Sequence, residues 1–345
     1  MPGTMKALVR RQGRVQLEDR PLPVPGRGQV RVRLVAAALN HRDLKQARRA
    51  DAPAVVLGSD GAGVLDAVGP GTDLTAAQVA IGDEVVINPS LGWLDEPAAP
   101  PPGYQILGDP SDGTFAEYVV VPLQNVEPKP RHLSWEEAAA FPLAALTAYR
   151  ALVTRAQLRP GETVVIPGIG GGAALFALQI AKAIGARAFV TSRSPEKLER
   201  ARQLGADALL RSDEAWDEQV RALTGGRGAD VVVETVGLPT WSKSLACLAD
   251  GGRLVFFASG PVTGNPEASA ELPIRRTFFA QLSLLGTRMG NRAEFRELLK
   301  LMERGAVRPV IDSVFSLADF EQAFERLQQG VQFGKIVLRI GGTNP

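Results

Sequence analysis

Thr163-Val164-Val165-Ile166-Pro167-Gly168-Ile169-Gly170-Gly171-Gly172-Ala173-Ala174 is the stretch on which the fold turns. Four apolar residues make a strand, a glycine run follows, and the apolar positions from Ala173 to Ile184 have the spacing of a helix that ends at Gly185. Glycine is required where the backbone turns tightly and must approach a pyrophosphate with no Cβ in the way, while the free N–H groups of the helix face the anion. Gly168, Gly170, Gly171 and Gly172 are therefore the expected phosphate-binding residues. A Gly-rich string alone would also suit a plain turn; a strand before it, a helix after it and a second strand at the right distance favour a dinucleotide site.

That second strand runs from Ala186 to Thr191 and ends in Thr191-Ser192-Arg193-Ser194, with Lys197 one turn into the next helix. An NAD-selective site usually carries Asp or Glu here, accepting hydrogen bonds from the ribose hydroxyls. This chain has no carboxylate at that place and two cations instead. Ser192, Arg193 and Lys197 are thus expected to hold a 2′-phosphate, which predicts a preference for NADPH of about a hundredfold. Ser194 as N-cap and Pro195 at the first helical position start the helix, and Gly205 closes it. Further apolar strands follow at Ala206 to Leu210, Asp230 to Val236, Arg253 to Ala258 and Leu282 to Thr287, so six strands alternate with helices and predict a parallel doubly wound α/β sheet.

Upstream, the pattern is different. Val30, Val32 and Leu34 alternate with Arg31 and Arg33, and short apolar runs at residues 63–65, 84–87 and 115–121 are separated by turns such as Gly69-Pro70-Gly71. These features predict a β-rich domain. The Pro/Gly-rich stretch from Asn88 to Gly113 is long for a passive connection and reads as a lid or as a lobe packed by Trp93 and Tyr104. Ser134-Trp135-Glu136-Glu137 has the pattern of a capping box opening an Ala-rich helical run. The final strands, near 310–315 and 336–340, have no βαβ partner in the doubly wound part, so the chain end is expected to return to the β-rich domain. The expected division is 1–125 with 306–345, and 126–305.

Composition narrows the function classes. Over 345 residues, 39 Lys+Arg balance 37 Asp+Glu to a net charge of +2, and no basic tract interleaved with aromatics suggests nucleic acid or a membrane surface. The lone cysteine, Cys247, can form neither an internal disulfide nor a four-thiolate zinc site. No apolar stretch reaches the ~18 residues of a membrane span and no leader pattern opens the chain, which makes a cytoplasmic protein the expectation.

Several motifs then add up to a family. Asn40-His41-Arg42-Asp43-Leu44, Gly58-Ser59-Asp60-Gly61-Ala62-Gly63, Gly82-Asp83-Glu84-Val85, Phe115-Ala116-Glu117-Tyr118, Leu146-Thr147-Ala148-Tyr149, the glycine turn with Gln179-Ile180-Ala181-Lys182, and Gly334-Lys335-Ile336-Val337 fall in one order along nearly the whole chain. Together they resemble the medium-chain dehydrogenase/reductase superfamily. The nearest branch looks like the zinc-free quinone oxidoreductase-like proteins, including bacterial members described as zinc-type alcohol dehydrogenase-like. The resemblance implies a GroES-like β domain, a Rossmann domain, and a nicotinamide held in a cleft between them. By the same analogy Phe257, Ala258, Gly286, Thr287 and Lys335 contact the cofactor, Thr147 lies near the nicotinamide ribose, and a homodimer forms by strand pairing along Leu282 to Leu285. One departure is Ser212, where many quinone oxidoreductases have a Tyr near the adenosine phosphate, so cofactor recognition leans harder on Arg193 and Lys197.

Zinc-dependent members of that family carry Cys where this chain has Asn40, His where it has Ser59, and an acidic or thiolate ligand near Leu143. The expectation is that no catalytic or structural zinc is bound. Without a metal the substrate carbonyl must be polarised by hydrogen bonds, which favours activated acceptors such as quinones and α,β-unsaturated carbonyls over plain alcohols. Asn40 is the first catalytic candidate, its amide donating to a developing enolate or holding the ribose; a turn-stabilising Asn is the plain alternative. Thr147 is a second candidate, and Asp43 a third, as an acid or as a residue that orients others. His41 could relay a proton, and Tyr104 could donate one or stack on a quinone. The expectation is an NADPH-dependent, metal-independent reductase of quinones or enones. An alcohol or aldehyde oxidoreductase of the same superfamily is the alternative within enzymes; a non-catalytic, crystallin-like or RNA-binding NADPH protein is the alternative outside them.

Overall fold

A computed structural model describes residues 3–75, 78–96, 98–258 and 269–341. The chain divides into two compact units, one made of residues 1–144, 290–303 and 309–345, the other of 145–289 and 304–308.

The first unit is built around the strand Gln29–Ala38, whose Val30, Val32 and Leu34 are buried while Arg33 faces out, the alternation that a half-buried strand requires. It pairs antiparallel with Asp60–Val68 on one side and, on the other, with Tyr118–Pro122 at residues 29–33 and with Lys335–Arg339 at Ala36–Ala38. The strand Lys335–Arg339 thus joins the β-rich part: Val337 faces Ala38 and Arg339 faces Ala36. Ile311–Ser316 runs parallel to that last strand. Between Asn88 and Gly113 the chain forms a packed lobe rather than a loose lid. Ser90–Leu91 pairs with Gln105–Ile106, Trp93 is buried, and Tyr104 meets its ring edge-on at 5.5 Å.

Six parallel strands form the second unit. Their order is Ala208–Arg211, Arg187–Ser192, Thr163–Ile166, Ala229–Glu234, Leu248–Phe256, Ser283–Gly286. The first strand of the sequence lies in the middle, and the order reverses between it and Ala229–Glu234. In such sheets ligands bind at the carboxyl ends of the strands beside this switch point. Val164, Val165 and Ile166 are fully buried, as continuous apolar strands covered on both faces must be. The helix Gly172–Ile184 ends at Gly185 with φ of +89°, and Ser194 Oγ accepts the N–H of Lys197 at 3.2 Å, so start and stop chemistry act where the sequence predicts. Among the described residues no helix is long and apolar enough to cross a membrane.

Candidate active site

Asn40 is the N-cap of the short helix His41–Ala47. Asp43 closes the first turn by accepting the Asn40 N–H on Oδ2 at 2.7 Å, while its own N–H donates to the Asn40 carbonyl. The Asn40 side chain is thereby aimed inward. Its Nδ2 donates to Asp60 Oδ2 at 2.9 Å, and its Oδ1 accepts from Lys335 Nζ at 2.6 Å. Lys335 Nζ also donates to Asp60 Oδ2 at 3.0 Å, and Asp60 Oδ1 accepts the Leu143 N–H at 2.8 Å. Asn40, Asp60 and Lys335 are 8%, 0% and 4% exposed. A buried carboxylate and a buried ammonium are tolerable together because each satisfies the other and both have further hydrogen-bond partners.

Immediately before the strand Asp60–Val68, Ser59 holds a second cation. Arg42 Nη1 donates to Ser59 Oγ and, at 3.0 Å, to the Leu107 carbonyl. Asp43, between these groups, is 1% exposed, and its Oδ1 has no hydrogen-bond partner among the described residues. Burial pushes its carboxyl up to about 6, against the opposing charges of Arg42 and Lys335. His41 is exposed at the start of the same helix, whereas Tyr104 packs on Trp93.

The donor set here does not suit zinc. Zinc sites are built from thiolate, imidazole and carboxylate in a nearly closed shell. The three positions at issue hold an amide, a hydroxyl and the Leu143 side chain; the Asn40 oxygen and the Asp60 carboxylate already accept an ammonium, and Ser59 Oγ a guanidinium. A divalent cation brought to those oxygens would meet two fixed positive charges.

In the second unit the residues fit a dinucleotide. Gly168 has φ of +75°, and a Cβ there would lie 2.4 Å from Val236 Cγ2; Gly170 has φ of +132°. A side chain is excluded at Gly168 by both conformation and space, and at Gly170 by conformation. No side chain caps the helix that starts at Gly172, leaving its first N–H groups for an anion. Thr191 ties the turn to the second strand: its Oγ1 accepts from Gly168 N–H at 3.2 Å and from Ser212 Oγ at 2.8 Å, and its carbonyl accepts the Ile169 N–H. Ser192 is buried, Arg193 exposed and Lys197 half-buried, all at the end of this strand or in the first turn beyond it. At the other strand ends, Gly286 pairs with Phe256, the Thr287 N–H donates to the Phe256 carbonyl, and Phe257 and Ala258 are half-buried. Thr287 Oγ1 is buried with no partner among the described residues, as a hydroxyl awaiting a polar ligand atom would be. Thr147 is buried in this unit, its hydroxyl 3.9 Å from Met289 Sδ.

Structure therefore brings Asn40, Asp43 and Lys335 together, and separately the glycine turn with Ser192, Arg193 and Lys197. The Lys335 ammonium, expected near the cofactor, is engaged with Asn40 and Asp60. Asp60 is the hub of the first cluster, a role that the sequence reading did not give it. Glu234 was also missed: fully buried, it accepts from the N–H groups of Val236 and Gly237 and from the hydroxyls of Thr240 and Ser244. It shapes the Thr235-Val236-Gly237 loop that closes over Gly168. An acidic residue ending an apolar strand just before a glycine was the available signal.

A Rossmann sheet with this turn, in one chain with a β-rich unit that holds a buried polar cluster, is the make-up of a nicotinamide-dependent oxidoreductase. Residues 26–131 match the alcohol dehydrogenase GroES-like domain and residues 168–304 the zinc-binding dehydrogenase family. The zinc-type alcohol dehydrogenase-like protein YogA of Leptosphaeria maculans is 33% identical over 350 residues, covering 94% of each chain. A crystal structure of an NAD-dependent alcohol dehydrogenase superposes with a TM-score of 0.87 at 40% identity, covering 98% of this chain and 100% of that one. The 2-octenoyl-CoA carboxylase reductase CinF, solved with NADP and 2-octenoyl-CoA, gives 0.84 at 28% identity over 99% and 88%. The chain belongs to the medium-chain dehydrogenase/reductase superfamily, and it binds a nicotinamide cofactor.

Proposed function

We propose that the protein is an NADPH-dependent, metal-independent reductase of quinones or α,β-unsaturated carbonyls, of the zinc-free quinone oxidoreductase-like branch. One observation carries this reading: the oxygen of Asn40, at the position where zinc-dependent members have a thiolate, accepts the Lys335 ammonium at 2.6 Å. With no metal to polarise a carbonyl or remove a hydroxyl proton, acceptors already activated by conjugation are the reactive class. A bound reduced nicotinamide supplies the hydride. Gly168 to Gly172 receive its pyrophosphate, Ser192, Arg193 and Lys197 its 2′-phosphate, and Phe257, Ala258, Gly286 and Thr287 the nicotinamide end. Asn40 and Thr147 orient substrate and ribose. Asp43, with its carboxyl at about 6, keeps a fraction of its population protonated near neutrality on an oxygen with no hydrogen-bond partner among the described residues.

Alcohol or aldehyde oxidoreduction is the second reading, favoured by the 40% identity to a protein described as an NAD-dependent alcohol dehydrogenase. Homodimerisation is part of the proposal. Ser283–Gly286 is the terminal strand of its sheet, and Ile274, Phe278 and Phe279 just before it are 63%, 61% and 66% exposed.

The test is oxidation of NADPH, with NADH in parallel, by chelator-treated protein against a panel of quinones, enones and aldehydes. Turnover of quinones or enones with NADPH supports the reading. Activity confined to alcohols or aldehydes, or activity that chelation abolishes, overturns it.

A further inference from the structure

The geometry points to Arg42 as the group that stabilises the negative charge developing on the substrate oxygen. This inference rests on the proposed reduction of conjugated carbonyls and adds a residue to it. When hydride reaches the β-carbon of a C=C–C=O acceptor, the C=C electron pair moves toward the carbonyl and the oxygen becomes an enolate. A proton from solvent then reaches the α-carbon. Two electrons and one hydrogen come from the reduced cofactor and one proton from water, so the acceptor gains two hydrogens. The enolate oxygen needs a positioned donor, preferably a charged one.

The other polar groups of the first unit's cluster are wholly or partly committed, and Asn40 keeps one amide hydrogen for orienting the substrate. Lys335 Nζ is directed at Asn40 and Asp60, and it is 4% exposed. Asn40 spends its oxygen on Lys335 and an amide hydrogen on Asp60. Asp43 is an acceptor at high pH and sits behind the helix turn that it closes. Arg42 differs from all three. Its Nη1 donates to both Ser59 Oγ and the Leu107 carbonyl, which are joined to each other by the Ser59 hydroxyl at 2.7 Å, so this end of the guanidinium is held in place. Its Nε and Nη2 make no hydrogen bond among the described residues, and the residue is half-buried rather than sealed. A guanidinium anchored through one nitrogen, with the other donors unspent and partly desolvated, is a preorganised oxyanion donor. Ser59 takes on a specific function in this arrangement. A histidine there would carry a bulky ring where the Arg42 fork now rests, whereas a serine hydroxyl accepts it.

Arg42→Leu and Arg42→Lys test this, with melting temperature and NADPH affinity as checks on folding. An enone such as cyclohex-2-enone depends on stabilisation of its oxygen, whereas a quinone delocalises the charge into a ring that becomes aromatic. We expect kcat/KM for the enone to fall about 100-fold in Arg42→Leu, the loss of one oxyanion donor, with a fall of tenfold or less for the quinone and NADPH affinity within threefold of wild type. Lysine keeps the charge but not the fork, and is expected to lose about tenfold on the enone alone. Should the leucine variant fail to fold, the lysine variant carries the comparison. Equal losses on both acceptors, or a change under threefold on the enone, overturn the role of Arg42 while leaving the proposed activity standing. A wild-type protein that reduces neither class overturns both.

Discussion

Lys335 Nζ and Asn40 Oδ1 lie 2.6 Å apart although 295 residues separate them in sequence. The strand Lys335–Arg339 must pair with Gln29–Ala38 for this to happen, so the buried polar cluster and the sheet register are one structural decision. Removing the ammonium leaves the Asp60 carboxylate buried without its counter-ion. Lys335→Met should therefore cost about 3 to 5 kcal/mol in urea unfolding. Adding Asp60→Asn should return much of that loss, and a double-mutant cycle with no coupling would contradict the ion pair.

The 2′-phosphate assignment predicts a selective effect. Arg193→Ala combined with Lys197→Ala should weaken NADPH binding tenfold or more, discounted for the exposure of Arg193, and leave NADH within about twofold. Cofactor fluorescence titration measures both, and equal losses would refute the assignment.

A pH dependence of stability follows from Asp43. Its folded-state value of about 6 lies above the ordinary value of 3.8 for an aspartate, so the native state holds the proton more tightly than the unfolded chain. The resulting stability is fully present below about pH 4 and is lost as pH rises through about 6, a change of about 3 kcal/mol. Asp43→Asn cannot titrate. Wild type minus variant, from unfolding curves at pH 4.5 and 7.5, should therefore favour the wild type at the lower pH; a difference independent of pH would rule out the raised carboxyl.

Glu234 gives a prediction about the cofactor site. Glu234→Ala strands two backbone N–H groups and the Ser244 hydroxyl, and leaves the Thr240 hydroxyl only the Gly237 carbonyl at 3.3 Å, at a cost of about 3 kcal/mol. Cofactor affinity should fall with it, because the Thr235-Val236-Gly237 loop loses its anchor. Isothermal titration at a temperature where the variant is folded separates the two effects, and unchanged affinity would dismiss the positioning role.

The proposed dimer is tested by light scattering at micromolar concentration. A dimeric mass is expected for the wild type, and a monomeric one for Phe278→Glu with Phe279→Glu, whose rings are exposed beside the terminal strand. Monomeric wild type would remove the dimer from the proposal.

What could be read from sequence was local. The turn from Gly168 to Gly172, the cap at Ser194 and the alternation of Val30, Val32 and Leu34 each express a backbone rule within a few residues. The polar cluster obeys no such rule. Asn40 was singled out for its amide, yet its neighbours in space come from Asp60 and Lys335, and only the sheet register brings them together. Arg42 lay inside a quoted motif and drew no attention, since the Leu107 carbonyl that holds it is 65 positions away. Glu234 is a carboxylate in an apolar strand, which reads as an exception until its donors are seen.

The first unit is assembled from discontinuous pieces of chain, and this has a consequence during synthesis. Asp60 is translated 275 residues before the lysine that neutralises it. At about 5 to 20 residues per second, the emerging chain spends roughly 15 to 55 s with that carboxylate unpaired. Over the same interval the Ala36–Ala38 end of the strand Gln29–Ala38 has one bare edge, because the strand that will occupy it has not been made and Tyr118–Pro122 pairs only with residues 29–33. The second unit, whose six strands lie within one continuous stretch, can fold on the ribosome first. The earlier-made β unit closes last, and its bare edge is the point at which a nascent chain most needs shielding from its neighbours.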